Sequence, residues 1–392
     1  MKTIHLLGHN FKWNLDSYFQ NKIGEGFVFC AYSFGSNFLE REKLSGYKLK
    51  EVSGLSMLDL QYFGKKESSE LVGGKLKTYK FHPSNEIDGG AATNEYMLTA
   101  IKEGIKFQVE MGFRDIIIPN YYENESIDSF IGLVKAINLW LLKNKDTNHR
   151  YFMTIPFTNN TIIDETKVDS VLFALTDGSI VFDGYYIVCE SKPESKQKVS
   201  TDMRYLKNLL GVFSTLKKQK FFTIYAYANW DALVFLSLTD IDLISIATYE
   251  NLRNFKINRF VQEEDGGPSK GWYFSEKLLN FVKAQFIDLV REKGCLPMIK
   301  NEKNIFSDVL LDLNFLWNNH KPEVHKNYLL AINNLLYELQ SIPDLKRRKE
   351  FFTGKVDDSI KAYENLEKQK VFLLEESSNY HLAIWKSFLL SR

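Results

Sequence analysis

The sequence predicts a (βα)8 TIM-type barrel followed by a helical C-terminal region, and three observations carry that prediction. Short apolar runs of strand length alternate with longer segments whose apolar residues recur at helical spacing. The strand candidates are apolar without interruption, as strands covered on both faces are. Counted from Phe27, eight such units follow one another in about 265 residues, the size and number of a (βα)8 barrel. A doubly wound open sheet would show similar units, but no G-x-G-x-x-G turn follows the first strand. The barrel is preferred on the count and on that absence, and no cofactor is expected.

Residues 1–24 read as a polar-aromatic lead-in over one end of the barrel. The first strand spans 27–32 and the second 55–60, the latter ending on Asp59. An irregular insertion at 64–92, with Gly73-Gly74, Pro83 and Gly89-Gly90, has a length that belongs to functional or flexible loops. Thr93 then N-caps a helix to residue 111, with Met97, Leu98, Ile101, Ile105 and Val109 at helical spacing. Strands at 116–118, 151–155, 185–189, 221–225 and 243–247 lead to helices at 127–142, 162–175, 202–216 and 231–238 and to a helical turn at 249–254. Asp183-Gly184 reads as the turn before the cleanest strand. The eighth strand is expected at 258–261, with its helix at 275–291. Beyond Gly294 the strand pattern stops, and 306–317, 328–339, 357–366 and 380–390 read as amphipathic helices with breaks at Pro322 and Pro343. The expected division is a barrel over 1–300 and a helical domain over 301–392, which caps the barrel or binds a partner protein.

Composition narrows the class without naming a reaction. Hydrophobic residues make up 44% and charged residues 25%, and 50 Lys+Arg against 49 Asp+Glu leave a formal +1. No global field draws the chain to nucleic acid or to a membrane, so such contact needs a local patch. No window approaches 18 apolar residues and no signal-type apolar segment opens the chain, so a cytoplasmic protein with no membrane contact is expected. Its Lys, Asn, Ile, Phe and Tyr bias fits a low-GC bacterial coding sequence. The three cysteines, Cys30, Cys189 and Cys295, are read as buried reduced thiols.

In a barrel, reactive groups sit at the carboxyl ends of the strands and in the loops beyond. Asp59, Glu190 and Glu250 end three different strands and could meet on the barrel axis, and two carboxylates in unequal environments can divide acid and base or nucleophile roles. Gln61, Asn120, Asn229, Trp230, Asn251, Arg253 and Lys270 are the candidate substrate-binding residues. Asn229-Trp230-Asp231 could offer a stacking platform beside a reading amide, or Asn229 could cap the next helix with Trp230 packed over it. The glycine-rich 266–271 carries Ser269 and Lys270, which with Arg253 and Arg259 could take a phosphate, or could form a surface lid. Lysines 192, 196 and 198 read as a solvated face or a basic rim for an anionic substrate. None of the seven histidines stands at a strand end beside a second ligand, so no metal is expected.

Asp59 in the segment MLDLQYF, at the end of an early barrel strand, resembles the placement of a carboxylate in the tRNA-guanine transglycosylase family. The resemblance spans at most residues 27–293 and lacks that family's Cys-rich zinc motif. It implies a base-holding role for Asp59 and a nucleophile's role for Glu190. Two readings result. One is an enzyme acting on a nucleotide, nucleobase or nucleic acid by glycosyl transfer or hydrolysis. The other is a non-catalytic barrel subunit of a bacterial multi-protein assembly, such as an antiviral one, docking through the C-terminal helices.

Overall fold

The computed structural model of the 392-residue chain describes residues 2–63, 74–85, 94–120, 126–260 and 270–392. Eight parallel strands form a nearly closed barrel. They are β1 (Lys2–Leu7), β2 (Phe27–Cys30), β5 (Ser56–Asp59), β6 (Asp115–Ile118), β7 (Arg150–Phe157), β8 (Gly184–Cys189), β9 (Phe222–Ala226) and β10 (Leu243–Ile246), with a two-residue hairpin, β3 (Lys43–Leu44) and β4 (Tyr47–Lys48), outside the wall. Hydrogen-bonded neighbours run β5-β2-β1-β10-β9-β8-β7-β6, and β6 returns beside β5. Sequential strands are therefore spatial neighbours all the way round, as in a (βα)8 barrel.

The expected strand count starts one strand late. Residues 2–7, KTIHLL, are the first strand and not a lead-in, and all but Lys2 are buried. His5 hides that run in the sequence; its ring is enclosed, with Nε2 2.8 Å from the Ile23 carbonyl. At the other end, the expected eighth strand at 258–261 falls on a 3-10 turn, Ile257–Phe260, and the eighth strand in the barrel is β10. The expected helix at 275–291 is also corrected. Its first part is an antiparallel hairpin, β11 (Trp272–Ser275) with β12 (Asn280–Lys283), and only then does α9 (Ala284–Glu292) begin. Leu278 and Leu279 sit at helical spacing from Val282 but form the hairpin turn, with Leu279 in the left-handed region at φ 47°. Asp183-Gly184 is no turn either, since Gly184 opens β8.

Helices α1 (Lys12–Asn21), α2 (Leu49–Ser53), α3 (Asn94–Glu110), α4 (Ile127–Asn144), α5 (Asn159–Ile162), α6 (Glu165–Leu175), α7 (Met203–Lys218) and α8 (Ala232–Leu238) follow successive strands. Their starts carry the expected chemistry: Ser126, Thr158, Asp164 and Asp202 each accept a first-turn N–H. The expected Thr93 cap lies outside the described residues. Beyond α9 come α10 (Leu296–Ile299), α11 (Ile305–Leu311), α12 (Pro322–Gln340), α13 (Leu345–Lys368) and α14 (Leu382–Leu390). Of these, α12 packs between α1 and α8 and so takes the place of the barrel's eighth helix. Thr3 on β1 donates to Asn333 on α12 at 2.8 Å, and Lys326 of α12 pairs with buried Asp16 of α1. The C-terminal helices therefore continue the outer layer, and one apolar core runs from Leu7 to Leu389.

Arg348 fastens α13 to that layer. It is 4% exposed and donates to the Ile342 and Leu236 carbonyls and to Asp240. The guanidinium thus satisfies a carbonyl in the last turn of α8. Arg348→Met should lower the free energy of unfolding by about 2–4 kcal/mol, because it strands buried carbonyls. Exposed Arg347→Met should change it by less than about 0.5 kcal/mol. Urea unfolding midpoints check both.

Candidate functional site

The pleat of the strands decides what enters the barrel. Met57 on β5, Tyr186 and Val188 on β8, and Val28 and Cys30 on β2 belong to the enclosed apolar cluster inside the wall. Asp59 lies two residues beyond Met57 and shares its inward parity. It is 1% exposed, and β2 pairs beside it with Cys30 opposite Asp59. One carboxylate oxygen accepts the Gln61 N–H at 2.9 Å; the other accepts the phenols of Tyr186 and Tyr227, each at 3.1 Å. Gln61 completes the set: its Nε2 donates to the Tyr227 hydroxyl at 2.6 Å and its Oε1 accepts the Tyr32 N–H.

Burial pushes the Asp59 carboxyl up to about 6, although the Gln61 N–H and the two phenols pull the other way. Burial first, and then the Asp59 charge, push both phenols well above their ordinary range. Gln61 and Tyr227 both stand in the left-handed region, at φ 54° and 53°. Side-chain-bearing residues adopt that conformation at a cost, and such positions gather at functional sites. The result is a carboxylate poised to change protonation near neutral pH, gripped by two phenols and an amide. Above it lie Phe63, Phe255 and Phe260, with Phe63 5.0 Å from Phe255 and 5.5 Å from Phe260 between ring centroids. Tyr227 touches the same aromatic cover, its ring 5.3 Å from Phe255.

Of the residues expected at the site, the structure brings Asp59 and Gln61 together, and adds Tyr186 and Tyr227. Glu190 holds different partners: its carboxylate accepts the N–H groups of Asn159 and Ile257, and its backbone bridges to Phe255. That ties the loop beyond β10 to the tip of β8. Glu250 pairs with Lys198 at 2.6 Å; burial would raise its carboxyl, but Lys198 holds it below the ordinary value. Asn229 does not cap α8, whose N-cap is Asp231; its Nδ2 donates to the Lys198 carbonyl at 3.1 Å. Trp230 is no platform, being fully buried against Phe274 and Phe281. Asn120 is buried at the tip of β6, Asn251 lends its carbonyl to Arg259, and Lys270 is exposed. Arg253 is buried over the face of Tyr328. Ser269 lies outside the described residues. So do positions 64–73 and 86–92 of the insertion, while Tyr79 within it is buried and donates to the Phe34 carbonyl.

Sequence reasoning missed the two tyrosines because they read as ordinary strand aromatics. Parity was a signal for Tyr186 alone, which is two residues before inward Val188; Tyr227 lies one residue beyond β9. Among the described residues, no cluster of three or more His, Cys, Asp or Glu could hold a metal ion, and no helix is long and apolar enough to cross a membrane. Cys30, Cys189 and Cys295 are buried and unpaired. The chain matches no family model and no curated protein.

Proposed function

We propose that the chain is an enzyme cleaving or exchanging a glycosidic bond in a nucleotide, nucleoside or nucleic acid, with Asp59 as the reacting carboxylate. The observation that carries this reading is a buried aspartate at the tip of a barrel strand, titrating near 6 and held by the Tyr186 and Tyr227 phenols. A fixed carboxylate shielded from water suits a reaction in which positive charge builds at an anomeric carbon. In the hydrolytic form, the bond from that carbon to the base breaks, water supplies hydroxide to the carbon, and its proton leaves with the base. The aromatic cover of Phe63, Phe255 and Phe260 gives a planar base surfaces on which to stack once it opens, and Gln61 offers an amide to read the base edge. Glu190, which the resemblance would make a nucleophile, is here assigned to hold the loop that carries Phe255.

The test is release of free base from nucleosides, nucleoside monophosphates and short RNA, followed by chromatography. The native chain should release base, and Asp59→Asn should lose about a thousandfold or more of that rate. The native rate should rise with pH through a midpoint near 6 as Asp59 ionises. No release by the native chain, or equal release by Asp59→Asn, overturns the reading.

A second reading, a non-catalytic subunit of a bacterial assembly, draws on a different face. A groove of about 840 Å³ lies between α4 and α6, and its Leu139, Leu142 and Phe173 are 64%, 54% and 81% exposed. Large exposed apolar residues gathered in one place mark contact surfaces.

A further inference from the structure

Two helices of the outer layer carry apolar residues on a face that the core does not use. In α4 the core takes Phe130, Leu133, Val134, Ile137 and Leu141, a stripe at helical spacing. Leu139 and Leu142 fall off that stripe and stand out in solvent. In α6 the core takes Val168, Val171, Leu172 and Leu175, and Phe173 lies on the opposite side. Among the described residues, no large hydrophobic side chain is more exposed than Phe173. Apolar side chains scattered singly over a surface are ordinary, but these three line one groove of about 840 Å³.

The groove is also acidic. Its lining sets Asp128, Asp169 and Asp177 against Lys135, three negative charges against one positive. Asp177 accepts the N–H and hydroxyl of Ser179 and feels the Lys135 charge. Asp128, in the first turn of α4, and Asp169, within α6, are both exposed. The lysines nearest in sequence, Lys143 and Lys167, lie outside the lining. With a formal charge of +1 on the whole chain, this acidity is local. It discriminates among occupants. A second copy of the chain would set the same acidic rim against itself, and an anionic membrane surface would be repelled. A basic partner gains twice, from apolar contact and from opposite charge at the rim.

We propose that the groove between α4 and α6 is the docking site for a basic amphipathic helix of another protein. Such a helix lays apolar residues at i, i+3, i+4 and i+7 into a groove and keeps its other faces polar. Asp128 and Leu142 stand about four turns apart, roughly 21 Å along α4, which suits a partner helix of about 14 residues. Its apolar anchors meet Leu139, Leu142 and Phe173, and its flanking Lys or Arg side chains meet Asp128 and Asp169. The groove lies in the outer layer, whereas Asp59 is enclosed by the wall. Docking therefore supplies a partner for the second reading above and holds equally for an enzyme.

The test is fluorescence anisotropy of two labelled helical peptides of about 18 residues, titrated with the full chain. Both carry the same leucine stripe; one has lysine and the other glutamate at its polar positions. The lysine peptide should bind with a Kd of about 100 µM or lower, and the glutamate peptide at least about tenfold more weakly. Phe173→Ser, at an exposed position, should keep the native urea midpoint and weaken the lysine peptide about tenfold or more. Asp169→Lys should weaken the lysine peptide severalfold and strengthen the glutamate peptide. Asp59→Asn should bind both as the native chain does, so this proposal and the chemistry at Asp59 fail separately. No binding of the lysine peptide, equal binding of the two peptides, or unchanged binding by Phe173→Ser would overturn the docking site. Dimerisation of the native chain, or its binding to phosphatidylglycerol vesicles, would overturn it too if Phe173→Ser abolished either, because the face would then serve a second copy or a membrane.

Discussion

Adding one methyl group at Gly184 should remove a large part of the fold's stability. A Cβ built there would sit 2.0 Å from the Phe222 carbonyl oxygen and 2.7 Å from its carbon, both backbone atoms of the neighbouring strand. Gly184 pairs with Phe152 on one side and Phe222 on the other, so the sheet cannot open without breaking a ladder. Overpacking ordinarily costs about 1–3 kcal/mol, and side-chain neighbours can yield. Here the obstacle is main chain in the centre of the wall, and a cost above about 4 kcal/mol is expected against a total stability of about 5–15 kcal/mol. Gly184→Ala should accumulate as insoluble protein or show a greatly reduced urea midpoint. Gly211, inside α7, meets nothing within 4 Å, and Gly211→Ala should raise stability by about 1 kcal/mol through helix propensity. Equal stability of the two variants would contradict the register of β8 against β9.

The second large effect is a pair of opposite pH dependences. His381 is wholly buried with Nε2 3.0 Å from the Leu279 carbonyl, and burial lowers its pKa to about 3. A lowered value means that the unfolded chain takes up the proton first as pH falls. The stability owed to neutral His381 is therefore full above pH 6.5 and lost progressively toward pH 3. Asp231 has the reverse sign. Burial raises it to about 7, so the folded chain holds its proton longer, and stability present below pH 4 is lost as pH rises through 7. One pKa unit corresponds to about 1.4 kcal/mol, which puts each effect on the order of 4 kcal/mol. Asp231→Asn should gain on the native chain between pH 4 and 8. His381→Gln should gain on it between pH 6.5 and 4. Denaturant unfolding across that range checks both, and parallel curves for native and variant chains would show that neither group is buried as described.

The fold class was legible because its signal is repetitive: apolar runs at 116–118, 151–155 and 185–189 each fell on a strand of the wall. What misled was local. His5 interrupts β1 and Leu278-Leu279 imitate a helix, and in each case a tertiary contact overrides the pattern. Gly184 was legible as an important glycine but for the wrong reason, since it relieves a close approach between strands and makes no turn. At the site, Asp59 could be located because strand tips are few and side-chain parity is strict. Tyr186 and Tyr227 were harder: parity could turn Tyr186 inward but not tell whether its hydroxyl meets a carboxylate or a carbonyl, and Tyr227 lies just beyond β9, where parity gives no guide. Arg253 was expected to touch a ligand, but its packing over Tyr328 is visible only in three dimensions.

The position of α12 bears on how the chain acquires its shape. The seam between β1 and β10 is covered by a helix that begins some seventy-five residues after β10 ends, so the wall stays uncovered there until that distant segment arrives. Closure is a long-range event that joins the first strand to a late helix across most of the chain, and such loops form slowly. During synthesis β10 can pair with β1 once residue 246 has emerged, but the outer layer over that seam is complete only when residues near 340 have left the ribosome.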